Sequence, residues 1–465
     1  MTKTVKALAE PSPAADSVAP TGKLLFRGAT VVTCDASDQV LDADVLVEAG
    51  RVVHVGKLQA NAARARGATL IDARDCLLMP GLVMAHVHLC QVLLRGMADD
   101  LPLLDWLTKR IWPLEAAHDE RSMRASAELG LAELLSAGVT SILDLGSVHH
   151  HDVVFDACAR SGMRTFGGKS LMDQGLGVPS RLKESTARSL RDAERLETTW
   201  SSHASGRIKY AWIPRFILSC SEAQIRGALE RALASGALFH THAAEHPSEK
   251  HAVRAAIGED DVDALRRWGM RGDHCSIAHG VQLTARQIKQ LAKDRVGVVH
   301  CPSANLKLGS GIARAHQLRQ ASVVVALGAD GAPCNNNLDP WRELRLAALL
   351  SSALVGPGEL LARHALRMLT IDGARLLGVA DEQGSVEVGK RADLICVRRD
   401  GLHAAPALDP IGTLVYATRA TDVQHVVIDG QFAVRDFALQ TLDTGSVGAN
   451  ARAQAPLVMR RAGLG

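Results

Sequence analysis

Short apolar runs alternate with amphipathic stretches between about residues 80 and 375. Runs of about four to eight β-branched and apolar residues, each followed by a segment of helical periodicity, are typical of repeated βα units around a parallel sheet. Eight such runs are present, and eight is the number of strands in a (β/α)8 barrel. They are LVMAHVH, VTSILD, MRTFGGK, IKYAWIP, ALFHTH, HCSIAHG, VGVVHC and VVVALGAD.

The two ends of the chain share a different pattern, in which β-branched runs are broken by glycine and aspartate. Such breaks are typical of antiparallel strands, so we expect both ends to pair into one small discontinuous β-sandwich. The N-terminus is rich in Ala, Pro and Ser and lacks the apolar segment of a secretory signal. The predicted division is a flexible leader (1–21), the N-terminal portion of the sandwich (22–80), the barrel (81–375), the C-terminal portion of the sandwich (376–440) and a C-terminal tail (441–465).

Charge and cysteine content narrow the choice of partner and compartment. A formal net charge of +3 is small for 465 residues and the charges are interspersed, so neither nucleic acid nor a membrane surface is an expected partner. Nine scattered cysteines without a C-x-x-C pair favour reduced thiols, which places the protein in the cytoplasm. We expect a small-molecule partner and a homo-oligomeric assembly.

Histidine and aspartate stand at the ends of several predicted barrel strands. His86 and His88 are two residues apart, so they face the same side of their strand. His242, His279 and Asp330 end the fifth, sixth and eighth runs, and a barrel brings such distant positions together at its active-site rim. Three imidazoles with one carboxylate suit zinc, with iron as the alternative. The competing interpretation is that each histidine is only hydrogen-bonded inside a packed barrel.

His240 precedes His242 by two residues and could compete with it for the metal. We favour His242 because Glu245 follows three residues later, where one turn could set a carboxylate beside a water molecule at the metal.

At these residues the chain resembles the amidohydrolase superfamily, in its branch of cytosine-deaminase-like, guanine and S-adenosylhomocysteine or 5'-deoxyadenosine deaminases and triazine hydrolases. The resemblance covers about residues 23–435. The matching segments are PGLVMAHVHLCQ, RGMADDLPLLDWL, IWPLE, IPRFILSCSE, HTHAAE, IAHG, HCPSANLKLGSGIA, LGADGAPCNNNLDPWRELRLA and GSVEVGKRADL.

The resemblance implies catalytic roles for Glu245 and His279 around the water. Two-metal members of the superfamily carry a carboxylated lysine at the end of strand four, where this chain has Pro214 and Arg215. One divalent ion per chain is therefore expected, Zn²⁺ in the first place and Fe²⁺ as the alternative. Its implied ligands are His86, His88, His242 and Asp330.

The predicted reaction is hydrolytic deamination of a cyclic amidine. A bound divalent ion lowers the pKa of water from about 15.7 toward 7. Asp330 is expected to accept the water's proton, Glu245 to protonate a ring nitrogen, and His279 to stabilise the developing oxyanion.

Different motifs favour different substrates. The segments around Trp106 and Glu115 resemble adenosine-type deaminases, in which Trp and Glu at these places line the nucleoside pocket. Alternatively, Trp106 is a core residue and Glu115 is a solvated residue at the start of a helix. Gln91, ending H-x-H-x-x-Q, and the pair Arg215 and Phe216 resemble guanine deaminase, where Gln, Arg and Phe hold the base. Adenosine-type enzymes typically have His where Arg215 stands.

Two cations are spaced like the tail-binding arginines of S-adenosylhomocysteine deaminases. Lys169 ends the third run and Arg181 follows twelve residues later, which implies an anionic or polar 5' tail on the substrate. Alternatively, Lys169 packs against an acid such as Asp144 and Arg181 is solvated. The predicted substrate is a 5'-modified adenosine (5'-deoxyadenosine, methylthioadenosine or S-adenosylhomocysteine). Guanine and an s-triazine are the alternative substrates. The alternative from outside the enzyme class is an inactive scaffold, which predicts that metal ligands have been lost.

Overall fold

The computed structural model describes residues 22–464 except residues 60, 61, 63, 64 and 202, so the predicted flexible leader lies outside the described residues. The described strands form two sheets. In chain order they are β1 (Lys23–Val32), β2 (Val40–Glu48), β3 (Arg51–Gly56), β4 (Ala68–Asp72), β5 (Cys76–Pro80), β6 (Leu82–Val87), β7 (Val139–Leu145), β8 (Arg164–Gly168), β9 (Ser170–Leu171), β10 (Ile208–Pro214), β11 (Leu238–Ala243), β12 (Cys275–His279), β13 (Gly297–His300), β14 (Val325–Leu327), β15 (Leu394–Arg398), β16 (Val423–Ile428), β17 (Gln431–Arg435) and β18 (Ala438–Leu439).

The second sheet is a parallel barrel. Its order is β6, β7, β8, β10, β11, β12, β13 and β14, with β9 beside β10. Val87 at the end of β6 bridges to Asp330 just beyond β14, and the Asp330 amide donates to the His86 carbonyl oxygen at 3.0 Å, which closes the ring. Nearly every strand residue is buried, because helices cover the outer face and side chains fill the inside. Each predicted run contains one of these eight strands, so the predicted barrel is confirmed.

The helices lie mostly between the barrel strands, and local sequence sets several of their ends. Ser221 caps one helix by accepting a hydrogen bond from the Gln224 amide at 3.2 Å, and Gly236 ends it with a φ of +71°. None of the described helices is long and apolar enough to span a membrane. The α-helices are Leu103–Trp106, Trp112–Ala116, Glu120–Ser136, His151–Ser161, Thr186–Trp200, Glu222–Ser235, Pro247–Ile257, Asp261–Arg267, Ala285–Asp294, Pro302–Lys307, Ala315–Gln320, Ala332–Asn335, Pro340–Val355, Ala362–Met368, Ile371–Leu376, Pro410–Tyr416 and Thr444–Arg461.

The first sheet joins the two ends of the chain. Its order is β18, β17, β16, β15, β5, β1, β2 and β3, with β4 beside β1. The antiparallel pairing of β15 with β5 links the C-terminal strands to the N-terminal ones. Phe26, Val45, Leu78 and Leu394 belong to one apolar core of this unit. The predicted discontinuous β unit formed by both chain ends is therefore confirmed.

The segment predicted only as a C-terminal tail contains the helix Thr444–Arg461. Val458 of this helix is buried, and Arg461 forms an ion pair with Asp119 at 2.9 Å. The segment is thus attached to the barrel side of the molecule, next to the start of the helix Glu120–Ser136.

Arg164 joins the barrel to the β unit. It begins β8, at the end of the barrel opposite the active-site rim, and its side chain is buried. Its guanidinium donates to both carboxylate oxygens of Asp393, at 2.9 and 3.2 Å, and to Asp429 at 2.9 Å. The bidentate geometry satisfies a buried charge on each side of the junction.

We expect Arg164→Ala to destabilise the protein strongly, because it leaves the buried Asp393 carboxylate without its charged partner. Breaking a buried pair in this way costs about 3 to 5 kcal/mol, measurable as a lower free energy of unfolding in urea. Arg195→Ala, which removes half-exposed ion pairs with Asp152 and Asp192, is the control and should cost about 1 kcal/mol or less. Equal losses in the two variants would contradict a special role for the buried pair.

Candidate metal centre

A cavity opens at the C-terminal rim of the barrel and contains about 360 Å³ of empty space, part of it open to solvent. Its lining combines imidazole and carboxyl groups with large apolar side chains. Such a mixture suits a heterocycle that packs against apolar surface while polar groups meet its edge. The lining residues are His88, Gln91, Leu103, Trp106, Leu107, Arg215, Phe216, His242, Glu245, His279 and Asp330.

Five side chains converge on one point of this cavity. His86, His242, His279 and Asp330 each place one donor atom within 4.8 Å of the others. His88 joins them, with its Nε2 atom 3.1 Å from Asp330 Oδ1 and 3.3 Å from His242 Nε2. The structure therefore brings together every ligand that the sequence predicts, and it adds His279 at the same point.

The outer nitrogens of three histidines are held by oxygen acceptors. Because an oxygen acceptor holds the proton on Nδ1, the Nε2 lone pair of each ring faces the common centre. The contacts are His88 Nδ1 to the Leu145 carbonyl oxygen at 2.7 Å, His242 Nδ1 to the Arg215 carbonyl oxygen at 2.7 Å, and His279 Nδ1 to Asn305 Oδ1 at 2.9 Å.

His240 orients His86 and does not compete for the centre. Its Nε2 atom lies 2.9 Å from His86 Nδ1, and its Nδ1 atom lies 2.8 Å from Ser276 Oγ. Both of its ring nitrogens are therefore engaged. Because His240 and His242 are two residues apart, they lie on the same face of β11. The contact between His240 and His86 becomes visible only in the folded structure.

The donor set fits one divalent ion. Burial lowers the pKa of His86 to about 4 and that of His242 well below its usual range, so both rings are neutral near pH 7, as metal ligation requires. His86 Nε2 and His279 Nε2 are buried and have no hydrogen-bond partner among the described residues. Buried polar atoms seldom lack a partner, and a cation at the centre would supply one.

Glu245 stands beside this centre. Its Oε2 atom lies 3.4 Å from His279 Nε2, and its Oε1 atom is buried without a hydrogen-bond partner in the described part of the chain. Burial, together with the nearby Glu249 and Asp330 carboxylates, raises the pKa of Glu245 well above its usual range. A carboxyl group whose pKa is raised in this way can serve as a general acid.

Arg215 and Gln91 line the cavity and share Glu115 behind them. Arg215 Nη1 donates to Glu115 Oε2 at 2.6 Å, and Gln91 Nε2 donates to Glu115 Oε1 at 2.8 Å. The Glu115 side chain is buried and does not line the cavity. The structure thus places Glu115 behind the cavity, with its carboxylate held by Arg215, and its role in a nucleoside pocket stays a prediction. Trp106 lines the cavity as expected.

The predicted pair of tail-binding cations is not assembled. Lys169 is fully buried, with its Nζ atom 2.6 Å from Glu184 and 2.8 Å from Asp192. Arg181 is exposed, and neither residue lines the cavity. The alternative of a buried, paired Lys169 and a solvated Arg181 describes the structure better, although the partners of Lys169 are not Asp144. A buried ammonium group requires such carboxylates close by.

The sequence profile of the Amidohydrolase family matches residues 77–433, which include the whole barrel and, of the β unit, most of β5, all of β15 and β16 and part of β17. The chain belongs to the amidohydrolase family. This confirms the resemblance inferred from the sequence motifs. The profile match includes every residue at the centre of the cavity.

Relatives of this amidohydrolase align over almost their entire length. A 5-methylthioadenosine/S-adenosylhomocysteine deaminase of Halobacterium salinarum is 36% identical, with 91% of this chain and 96% of the relative covered. A 5'-deoxyadenosine deaminase of Methanosarcina acetivorans is 33% identical, with 94% and 99% covered. The crystal structure of an adenosine deaminase from Xanthomonas campestris with bound zinc is 34% identical, superposes with a TM-score of 0.88, and covers 94% of this chain and 99% of its own.

We expect one divalent ion per chain, to be counted by elemental analysis after dialysis. Asp330→Ala should reduce the metal content, because it removes a ligand. His240→Ala should keep the ion but weaken its binding about 10- to 100-fold in competition with a chelator, because His86 loses its orienting contact. Two tightly bound ions per chain, or unchanged affinity in both variants, would contradict this arrangement.

Proposed function

We propose that this amidohydrolase is a zinc-dependent deaminase that hydrolyses the exocyclic C–N bond of a purine, with a 5'-modified adenosine as the first candidate substrate. The observation that carries the proposal is the position of Glu245, a buried carboxyl with a raised pKa beside a donor set for a divalent ion. The names of the relatives support the nucleoside substrate. Imidazole and carboxylate donors, and the zinc of the Xanthomonas structure, support the metal.

Each polar residue around the cavity can take one part of the reaction. A divalent ion, when bound, makes water available as a nucleophile near neutral pH. Asp330 accepts a proton from that water. Glu245 donates its proton to the ring nitrogen next to the attacked carbon, which makes the ring susceptible to addition. His279 Nε2 lies at the same centre, 3.4 Å from Glu245 Oε2, and stabilisation of the developing oxyanion stays its expected role.

Release of ammonia requires a second proton transfer. Asp330 passes the proton it has accepted to the exocyclic nitrogen, the C–N bond breaks as ammonia leaves, and Glu245, which lines the same cavity, takes back the proton of the added hydroxyl group to leave a carbonyl. Trp106 and Phe216 supply apolar faces against which a purine ring can stack.

Glu245→Gln should lower kcat by roughly 10²- to 10⁴-fold, because the amide keeps the shape of the side chain but cannot carry the proton. Metal content should stay normal, since Glu245 is not among the expected ligands. Steady-state ammonia release and elemental analysis test both points. A kcat near that of the unmodified enzyme would remove Glu245 from the mechanism.

A free purine base with a carbonyl group, such as guanine, is the second candidate. It is favoured by the hydrogen bonds of Glu115, whose two oxygens are occupied by Arg215 and Gln91 and so are not presented to a ribose. Arg215 lines the cavity, and its remaining donors can meet a carbonyl oxygen or a ring nitrogen.

Ammonia release from a panel of substrates separates the two candidates. We expect the highest kcat/KM on a 5'-modified adenosine among adenosine, 5'-deoxyadenosine, methylthioadenosine, S-adenosylhomocysteine, guanine and melamine. Arg215→Ala should reduce kcat/KM on the preferred substrate by about 2 to 3 kcal/mol, the usual loss for a charge-assisted hydrogen bond. Activity on guanine alone would select the second candidate.

The cytoplasm and a homo-oligomeric state are proposals that rest on the sequence. All nine cysteines are buried and unpaired, which agrees with a compartment that keeps thiols reduced. The proposed partner is a small purine, which suits a cavity lined by both apolar and polar side chains.

A further inference from the structure

The turn that carries Glu245 has a constrained backbone. Ala244, between β11 and Glu245, has a φ of +53°, a left-handed conformation that is unfavourable for a residue with a Cβ atom. The Ala244 carbonyl oxygen accepts a hydrogen bond from the Gln282 amide at 2.8 Å. Because this turn links the end of β11 to Glu245, its shape determines where the Glu245 side chain points.

Two buried carboxyl groups accept the amide hydrogens of the turn. The Ala244 amide donates to Asp261 Oδ2 at 2.6 Å. The Glu245 and His246 amides both donate to Glu249 Oε2, at 2.9 and 3.4 Å. Three consecutive amides of the turn are thus held by side chains from the two helices that follow it.

Neither carboxyl group is explained by an ion pair. Glu249 is 1% exposed and Asp261 is 5% exposed, and within the described chain neither has a cationic partner within 4.0 Å. Burying an acid without such a partner is unfavourable unless hydrogen bonds satisfy it. Apart from the Val262 amide, which donates to Asp261 Oδ1, the hydrogen bonds found for these two carboxyl groups all come from the turn.

We propose that Asp261 and Glu249 are positioning residues for deamination, which hold the turn at Ala244 so that the Glu245 carboxyl stays beside His279. The inference rests on the proposed function, because it assigns these residues a role through Glu245. Neither residue lines the cavity, so their effect on the substrate is indirect.

The first test compares two substitutions of Glu249. Burial, and then the nearby Asp261 carboxylate, raises the pKa of Glu249 to about 8. Glu249→Gln keeps a neutral oxygen acceptor and should retain kcat within about threefold. Glu249→Ala removes the acceptor and should lower kcat by about 10- to 100-fold with little change in KM, because small displacements of a catalytic group are costly.

The second test uses the strained residue itself. Asp261→Ala should lower kcat to a similar extent, because the Ala244 amide loses its acceptor. Glycine adopts a positive φ at little cost, so adding Ala244→Gly to Asp261→Ala should restore kcat at least about threefold.

Asp372→Ala is the matched control for loss of a buried carboxylate. Asp372 is 5% exposed, like Asp261, but it pairs with Arg319 at 2.6 Å and Arg375 at 2.7 Å instead of with the turn. This variant should lower the unfolding temperature while kcat, measured well below that temperature, stays within about twofold. A loss of kcat equal to that of Asp261→Ala would overturn the proposal.

Crystal structures of the metal-loaded variants provide a measurement that does not depend on turnover. The distance between Glu245 Oε2 and His279 Nε2, 3.4 Å in the unmodified chain, should lengthen in Asp261→Ala and return in the double variant. An unchanged turn in Asp261→Ala would overturn the positioning role. If the metal-loaded protein deaminates nothing in the panel, the proposed function fails, while these structures still decide whether the two carboxyl groups position Glu245.

Discussion

The structure depends on the burial of several imidazoles and a carboxylate at one point of a barrel rim. In so enclosed a place each ring must have its outer nitrogen bonded, or the desolvation of that atom remains uncompensated. Backbone carbonyls of Leu145 and Arg215 serve two of the rings, and Asn305 and His240 serve the others. The same hydrogen bonds orient the Nε2 atoms toward a common centre. The contacts that satisfy the buried rings therefore also arrange them as possible metal ligands.

Closure of the barrel brings the first and last strands into this arrangement. The bridge between Val87 and Asp330 places the histidines of β6 next to the aspartate beyond β14, although about 240 positions separate them. Gly328 in this segment faces the backbone and Cβ of His86 so closely that an added Cβ would lie 2.8 Å from both. The close approach of the two strands therefore requires glycine there.

Buried ion pairs determine where the charged side chains in and near the cavity lie. Arg215 is buried, and a guanidinium in that position needs a carboxylate, which Glu115 provides from 100 positions away. This pairing holds Glu115 behind the cavity, whereas Arg215 and Gln91 line it. Lys169 follows the same rule, since Glu184 and Asp192 hold it inside the protein and away from the cavity.

The barrel, the discontinuous β unit and the convergence of His86, His88, His242 and Asp330 were all predictable from the chain, because strand periodicity and the shared rim of parallel strands are local or purely geometric rules. The contacts of His240 and the pairings of Glu115 and Lys169 were not predictable. They depend on which carboxyl or imidazole group lies next to a buried side chain after the helices and loops have packed. Spacing along the sequence does not contain that information. Asp261, which accepts the amide of Ala244 from 17 positions away, is of the same kind.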